Sequence, residues 1–348
     1  PLYRSTMDHM LSLDGLLHLN MRNPHMAFFN PKYVSNLRKK VELKVDQLLD
    51  AIAPLGSCNL VESISAELPM FTLCEMLGVP EADRPKIIEW MKFLEMAQVI
   101  AATQAVQNND ISLSEEQSQA APDPAIIEMF TNMINEMFSY GRHVLEERRK
   151  SPKDDLLSVI ANIEIDGEKL PNEYLDGSWL LIIFAGNDTT RNSISGTMNL
   201  LSENQDQKEL VLNDRSLIPN MVHESIRVAN PVTYMRRTTK VDTQIGEQKI
   251  GPNEKISLWY GAANRDPEIF ENPDKYDIRR ENAKKHLSFG YGRHLCLGKH
   301  TANMQLEVVY EKIFERFPDM TQSGDIIYTP NNFVNAIQEL PVTFTPKK

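Results

Sequence analysis

Cysteine is scarce in this chain: Cys58, Cys74 and Cys296 are the three in 348 residues. Thiols so few and so scattered exclude a disulfide framework and point to a reducing, cytoplasmic setting. Long apolar runs are missing as well. The most apolar stretch, Trp179 to Ala185, is far shorter than the ~20 residues needed to cross a bilayer. The opening Pro1-Leu2-Tyr3-Arg4 carries no apolar signal segment, so no membrane partner is expected. Nor is there an excess of positive charge. The 37 Lys and Arg stand against 48 Asp and Glu, a formal net charge of -11, which disfavours nucleic acid as a partner. No segment repeats with a period of about 20–50 residues, which excludes a solenoid. An initiator methionine is absent too, and the natural gene product is expected to begin upstream of Pro1.

What is present is a composition 41% hydrophobic, sufficient to bury a sizeable core in a single domain over residues 1–348, expected to be a monomer. Asn30-Pro31 has the form of an N-cap followed by proline at the first helical position. Val34, Leu37, Val41, Val45, Leu48 and Leu49 then recur at helical spacing as far as Pro54. Helical patterns also cover 60–77, 81–96, 124–149, 172–202 and 216–229, whereas strand-like alternation is confined to 243–260 and 333–345. The expected fold is mainly α with small β-sheets. Residues 102–124 are rich in Gln, Asn, Ser and Ala without an apolar period, the pattern of a long loop, whether a substrate lid or a plain surface insertion.

The segment Leu287-Ser288-Phe289-Gly290-Tyr291-Gly292-Arg293-His294-Leu295-Cys296-Leu297-Gly298 places one cysteine among closely spaced glycines, just before a helical pattern running from Leu297 to Phe317. Gly290 and Gly292 permit a tight turn and close approach to a flat ligand, and Gly298 removes bulk beside it. A cysteine at a helix N-terminus is favoured as thiolate by free N–H groups and the helix dipole. Zinc is a poor rival, since a structural site needs four closed ligands and only His294, Cys296 and His300 lie together. A dinucleotide loop is poorer, because no strand and following acidic residue frame these glycines.

Phe289, Gly292, His294, Cys296 and Gly298 match the pattern F-x-x-G-x-(R or H)-x-C-x-G, and on these residues the chain resembles the cytochrome P450 family. The resemblance extends from about His18 to Pro341. It implies the family's triangular helical prism and haem b (iron protoporphyrin IX), with Cys296 as axial iron ligand. Thiolate ligation raises electron density on iron and favours O–O cleavage. The family's leading strands and B-helix region have no counterpart here, Pro1 to Leu17 matching only their end.

Further motifs take their meaning from that resemblance. Ala185-Gly186-Asn187-Asp188-Thr189 is similar to the family's (A/G)-G-x-(D/E)-T, which implies a helix bent where Thr189 bonds back toward Ala185, with Asp188 and Thr189 delivering protons. Glu224 and Arg227, one turn apart, resemble the E-x-x-R pair, completed by Arg280 with Arg279 as a close competitor; alone, such a pair reads as a surface ion pair. Haem propionates need converging cations, and His18, Arg22, Arg237 and His294 occupy the matching positions. Phe289, Gly290, Gly298 and Ala185 would border the ring. Leu181, Ile182, Ala185, Pro231, Val232, Phe333 and Val334 occupy pocket-lining positions, and all are apolar.

The activity implied is a monooxygenase inserting one oxygen atom of O2 into a C–H bond of an apolar aliphatic substrate. Electrons would come from a ferredoxin-type donor and its NAD(P)H-dependent reductase, docking near Arg293, Lys299 and His300. A non-catalytic haem-thiolate sensor and a peroxide-driven hydroxylase stand as the alternatives. Asp188 and Thr189 argue against both.

Overall fold

The computed structural model describes residues 8–94, 96 and 124–347; the expected loop at 102–124 lies outside these except for Pro124, which opens a helix. In chain order come α1 (Gly15–Phe28), α2 (Pro31–Ile52), β1 (Ser57–Asn59), a π-helical turn at Val61–Ser65 and α3 (Glu67–Leu77). Then follow α4 (84–94), α5 (Pro124–Lys150), α6 (Leu156–Ala161), the hairpin of β2 (Glu164–Ile165) and β3 (Glu168–Lys169), and α7 (Asn172–Ala185). Next are α8 (Asp188–Glu203), α9 (Gln205–Asn213), α10 (Ile218–Ala229), β4 (Tyr234–Thr238), β5 (Thr243–Ile245), β6 (Gln248–Ile250), β7 (Lys255–Trp259) and the single turn α11 (Tyr260–Ala263). A long irregular stretch leads to α12 (Lys299–Arg316), followed by β8 (Thr321–Gln322), β9 (Ile327–Tyr328), β10 (Ile337–Glu339) and β11 (Pro341–Thr343). The chain is mainly helical with small antiparallel sheets.

These elements gather into two compact units, each built from three segments. The first comprises Pro1–Leu49, Glu62–Asp188 and Leu297–Gln305. Its core rests on α5, whose Met137, Phe138, Val144 and Leu145 are buried, and on Trp179 of α7, whose indole N–H donates to the Met137 carbonyl at 3.1 Å. Asp155 caps α6 by accepting from the Ser158 N–H at 2.8 Å, and its other carboxylate oxygen takes the Arg148 Nε–H at 2.7 Å. One acid thus ties the start of α6 to the end of α5.

The second unit comprises Asp50–Val61, Thr189–Cys296 and Leu306–Lys348. Ile194, Met198 and Leu201 of α8, Val222 and Ile226 of α10, and Val309, Ile313 and Phe314 of α12 are among its buried apolar residues. Tyr310, also buried, donates its hydroxyl to the Ile194 carbonyl at 2.6 Å, so the aromatic ring fills the core while its polar tip is satisfied. Strand β11 lies between β1 and β8, and β4 pairs with β7 over five residues.

The long helix expected over 172–202 is two helices. It stops at Ala185 and restarts at Asp188, with Gly186 and Asn187 between. Both are poor helix formers, and a Cβ on Gly186 would stand 3.2 Å from the Ile182 carbonyl and 3.3 Å from Leu73 Cδ1, so glycine lets α3 press against the end of α7. The expected helix at 60–77 likewise begins as a π-helical turn and becomes α only from Glu67.

Candidate active site

The cysteine loop lies in the second unit, between α11 and α12. Gly290 and Gly292 both have φ of 72°, a region that side chains avoid. A Cβ on Gly290 would also lie 3.2 Å from the Tyr260 hydroxyl. The Cys296 N–H donates to the Phe289 carbonyl at 2.9 Å, closing residues 289–296 into a loop with an exposed Cys296 at its end. Helix α12 begins at Lys299, and the Ala302 N–H donates to the Gly298 carbonyl at 2.8 Å. The expected start at Leu297 is therefore two residues early: Gly298 takes the capping place, where glycine is tolerated far better than inside a helix. Cys296 stands before the helix instead of in its first turn. Cys74 in α3 is a different kind of thiol, since burial pushes it up to about 11 and keeps it neutral.

A buried polar framework holds this loop. Glu224 and Arg227 of α10 are fully buried and joined by two hydrogen bonds of 2.8 Å, and Arg280 Nε–H donates to Glu224 at 3.0 Å. Arg280, and not the exposed Arg279, reaches this carboxylate. Both guanidinium groups also donate to carbonyls of the irregular stretch, Arg227 to Asn264 and Pro273, and Arg280 to Glu271, Asn272 and Lys275. Asn264, Ser288 and His286 belong to the same framework, with roles that the sequence reading missed. Among them Ser288 alone carried a visible signal, a polar residue between Leu287 and Phe289. Burial, reinforced by His223 and Arg227, pushes the His286 imidazole down to about 3, so it is neutral.

Asp188 and Thr189 are the first two residues of α8, where an acid is favoured by the helix N-terminus. Asn187 Nδ2 donates to the Asp188 carboxylate at 3.4 Å. Ser193 returns its hydroxyl to the Thr189 carbonyl at 2.7 Å, a back-bond of the kind that bends helices. Ala185, at the end of α7, is exposed, while Leu181 and Ile182 are half-buried. In the second unit the Val232–Val334 bridge, with Thr233 N–H to Phe333 O at 2.9 Å and Asn335 N–H to Pro231 O at 3.0 Å, joins the two expected pocket segments.

Of the expected cations, His18 is buried and Arg22 half-buried on α1 of the first unit. In the second, Arg237 is exposed on β4, its Nη1 donating to the Arg236 carbonyl at 2.8 Å, and His294 is half-buried in the cysteine loop. An accessible thiol held by a backbone bond, on a loop whose glycines keep side-chain bulk away, is the donor set that thiolate ligation of haem requires. The residues present fit the group.

Comparison with known proteins agrees. The family model for cytochrome P450 matches residues 21–344. The chain belongs to the cytochrome P450 family. It is 32% identical over 340 residues to a steroid C26-monooxygenase of Mycobacterium tuberculosis, covering 97% of this chain and 86% of that protein. It is 30% identical to linalool 8-monooxygenase of Pseudomonas putida, covering 97% and 78% respectively. Among solved structures, the cytochrome P450 of the Bacillus subtilis bacillaene polyketide synthase superposes with a TM-score of 0.83 at 28% identity, covering 98% of this chain and 82% of that one. This cytochrome P450 is a monooxygenase carrying haem b. Among the described residues no helix is long and apolar enough to cross a membrane.

Proposed function

We propose that this cytochrome P450 inserts one atom of O2 into a C–H bond of an apolar aliphatic substrate, with electrons delivered singly by a ferredoxin-type donor that an NAD(P)H-dependent reductase recharges. The observation that supports the substrate class is in the second unit, where the Val232–Val334 bridge joins the two segments that carry the apolar side chains of Pro231, Val232, Phe333 and Val334. Leu181 and Ile182 of α7, in the first unit, are apolar as well. Relatives named for steroid C26 and linalool 8 oxidation fall in the same range of substrates.

Cys296 would hold the haem iron, His18, Arg22, Arg237 and His294 its propionates, and Phe289, Gly290, Gly298 and Ala185 would border the ring. When bound, haem supplies the reduction of O2 by electrons taken one at a time. The protein's part is to move protons and exclude bulk water. The Asp188 carboxylate would exchange protons with solvent, and the Thr189 hydroxyl would pass them inward. A peroxide-driven enzyme has no need of this acid–alcohol pair, which favours O2 as oxidant.

The test is a titration of the purified holoprotein with steroid side-chain alcohols, acyclic terpene alcohols and branched alkanes, followed by the shift in the haem spectrum that accompanies displacement of water. A saturable shift is expected with aliphatic ligands. A response confined to charged or aromatic ligands overturns the substrate class.

A further inference from the structure

Asn264 lies just beyond α11 and is fully buried. Its carboxamide Nδ2 donates to the Ser288 hydroxyl at 2.8 Å and has the Asn230 side-chain oxygen at 3.1 Å and the Arg227 carbonyl at 3.2 Å. Its Oδ1 accepts the Leu287 N–H at 2.7 Å, and its backbone carbonyl accepts from Arg227 Nη1 at 2.7 Å. Ser288, likewise buried, donates its hydroxyl to the Ile226 carbonyl at 2.9 Å, and its N–H points to His286 Nδ1 at 3.3 Å. One amide therefore bonds to the Glu224–Arg227 helix on one side and to two consecutive residues of the cysteine loop on the other. The residue after these two, Phe289, carries the carbonyl that receives the Cys296 N–H. The connection from α10 to the cysteine runs through Asn264, Leu287 and Ser288, and then Phe289.

We infer that Asn264, acting with Ser288, is a positioning residue for the cysteine ligand: it transmits the fixed geometry of the Glu224–Arg227–Arg280 cluster to the loop and so sets where the Cys296 sulfur stands. The physical reason is the low dielectric of the site. Buried hydrogen bonds are strong there and expensive to leave unmade, so Leu287 and Ser288 have one low-energy position, and the closed loop beyond them moves as a piece. The inference rests on Cys296 being the iron ligand.

The experiment compares Ser288→Ala, Asn264→Ala, Ser288→Thr and Ser225→Ala holoproteins with wild type. Ser225 is a control of equal burial on the same helix, bonded at 2.8 Å to the Tyr276 hydroxyl instead of to the loop. Three quantities are read: amide exchange in the peptide covering 285–297, the fraction of the reduced carbon monoxide complex retaining the thiolate band, and the haem reduction potential. Ser288→Ala and Asn264→Ala are expected to speed loop exchange about tenfold, the factor carried by one lost hydrogen bond, to lower the thiolate fraction and to shift the potential. Ser288→Thr keeps the hydroxyl and should restore all three towards wild type. Ser225→Ala should lower stability while leaving them in place. Wild-type exchange, band and potential in Ser288→Ala overturn the inference, as does an equal effect from Ser225→Ala. If Asn264→Ala fails to fold, the two Ser288 variants decide. Absence of the thiolate band from wild type itself would instead remove the reading of Cys296 as ligand, while the exchange comparison would still report on the clamp.

Discussion

At the scale of single residues, Asp188 and Thr189 are expected to divide the work of proton delivery. Asp188→Asn removes a group that binds and releases protons, and general acid assistance of this kind is worth about 10²–10⁴-fold, so turnover should fall by that order with substrate affinity little changed. Thr189→Ala removes the hydroxyl proposed to pass protons inward, so NAD(P)H consumption should continue while peroxide is released. Product formed per NAD(P)H is the deciding ratio, and wild-type coupling in Thr189→Ala would mean that protons travel another way. His286 makes a separate prediction about pH. Its folded-state pKa, about 3, lies below the ordinary 6.5 because burial, His223 and Arg227 disfavour its cation. Over that interval the unfolded chain binds the proton that the folded chain refuses. Stability from this group is complete above pH 6.5 and lost as pH falls towards 3, at up to about 1.4 kcal/mol per pH unit. Urea midpoints measured from pH 7 to 5 should fall less steeply in His286→Gln than in wild type.

At the scale of elements, the irregular stretch from Asn264 to Asn282 has little regular hydrogen bonding of its own and relies on α10 to satisfy it. Arg227 and Arg280 spread six donated bonds over its carbonyls while sharing Glu224. Removing the acid leaves two guanidinium groups without their counter-charge, and breaking a buried ion pair in this way costs about 3–5 kcal/mol. That is a large share of an ordinary protein's stability of about 5–15 kcal/mol. Glu224→Ala should therefore give little folded protein, whereas Arg280→Lys, which keeps the charge but loses the fork of donors, should fold with a lowered urea midpoint. The break between α7 and α8 has the opposite character, a local weakness kept where the acid and the hydroxyl stand. Gly186 admits Leu73, and Asp188 starts the next helix with the charge its N-terminus prefers.

At the scale of the whole molecule, the acidic charge of the chain bears on the protein donor proposed to supply its electrons. A net charge of -11 repels an acidic ferredoxin at long range, so attraction must come from local cations. Arg293, exposed, and Lys299, half-buried, both close to Cys296 in the chain, are the residues proposed to supply it, whereas burial and Lys299 lower the His300 imidazole below its ordinary range and disfavour its cation. Arg293→Glu and Lys299→Glu should each slow the first electron transfer, most strongly at low salt, because screening removes the difference as the Debye length shortens. Stopped-flow reduction at two ionic strengths measures this, and a rate indifferent to both changes would move the docking surface elsewhere.

The sequence by itself determined whatever depends on neighbours in the chain. The family follows from five residues between Phe289 and Gly298, because a thiol before a helix and turns in the left-handed region are local chemistry readable from spacing. The helices at 31–52, 124–150 and 218–229 follow from apolar periodicity and from prolines at their starts. Tertiary structure alone decided the rest. The resemblance names Arg280 with Arg279 as competitor, and only the fold shows that Arg280 is the one that meets Glu224. Leu73 meets Gly186 at the helix break only in the folded chain, and Asn264 and Ser288 became a clamp only when segments 24 residues apart were brought within 2.8 Å. A buried amide has no periodicity to betray its partners. Its role is set by which donors and acceptors packing leaves beside it, a property of the folded core and not of the order of residues.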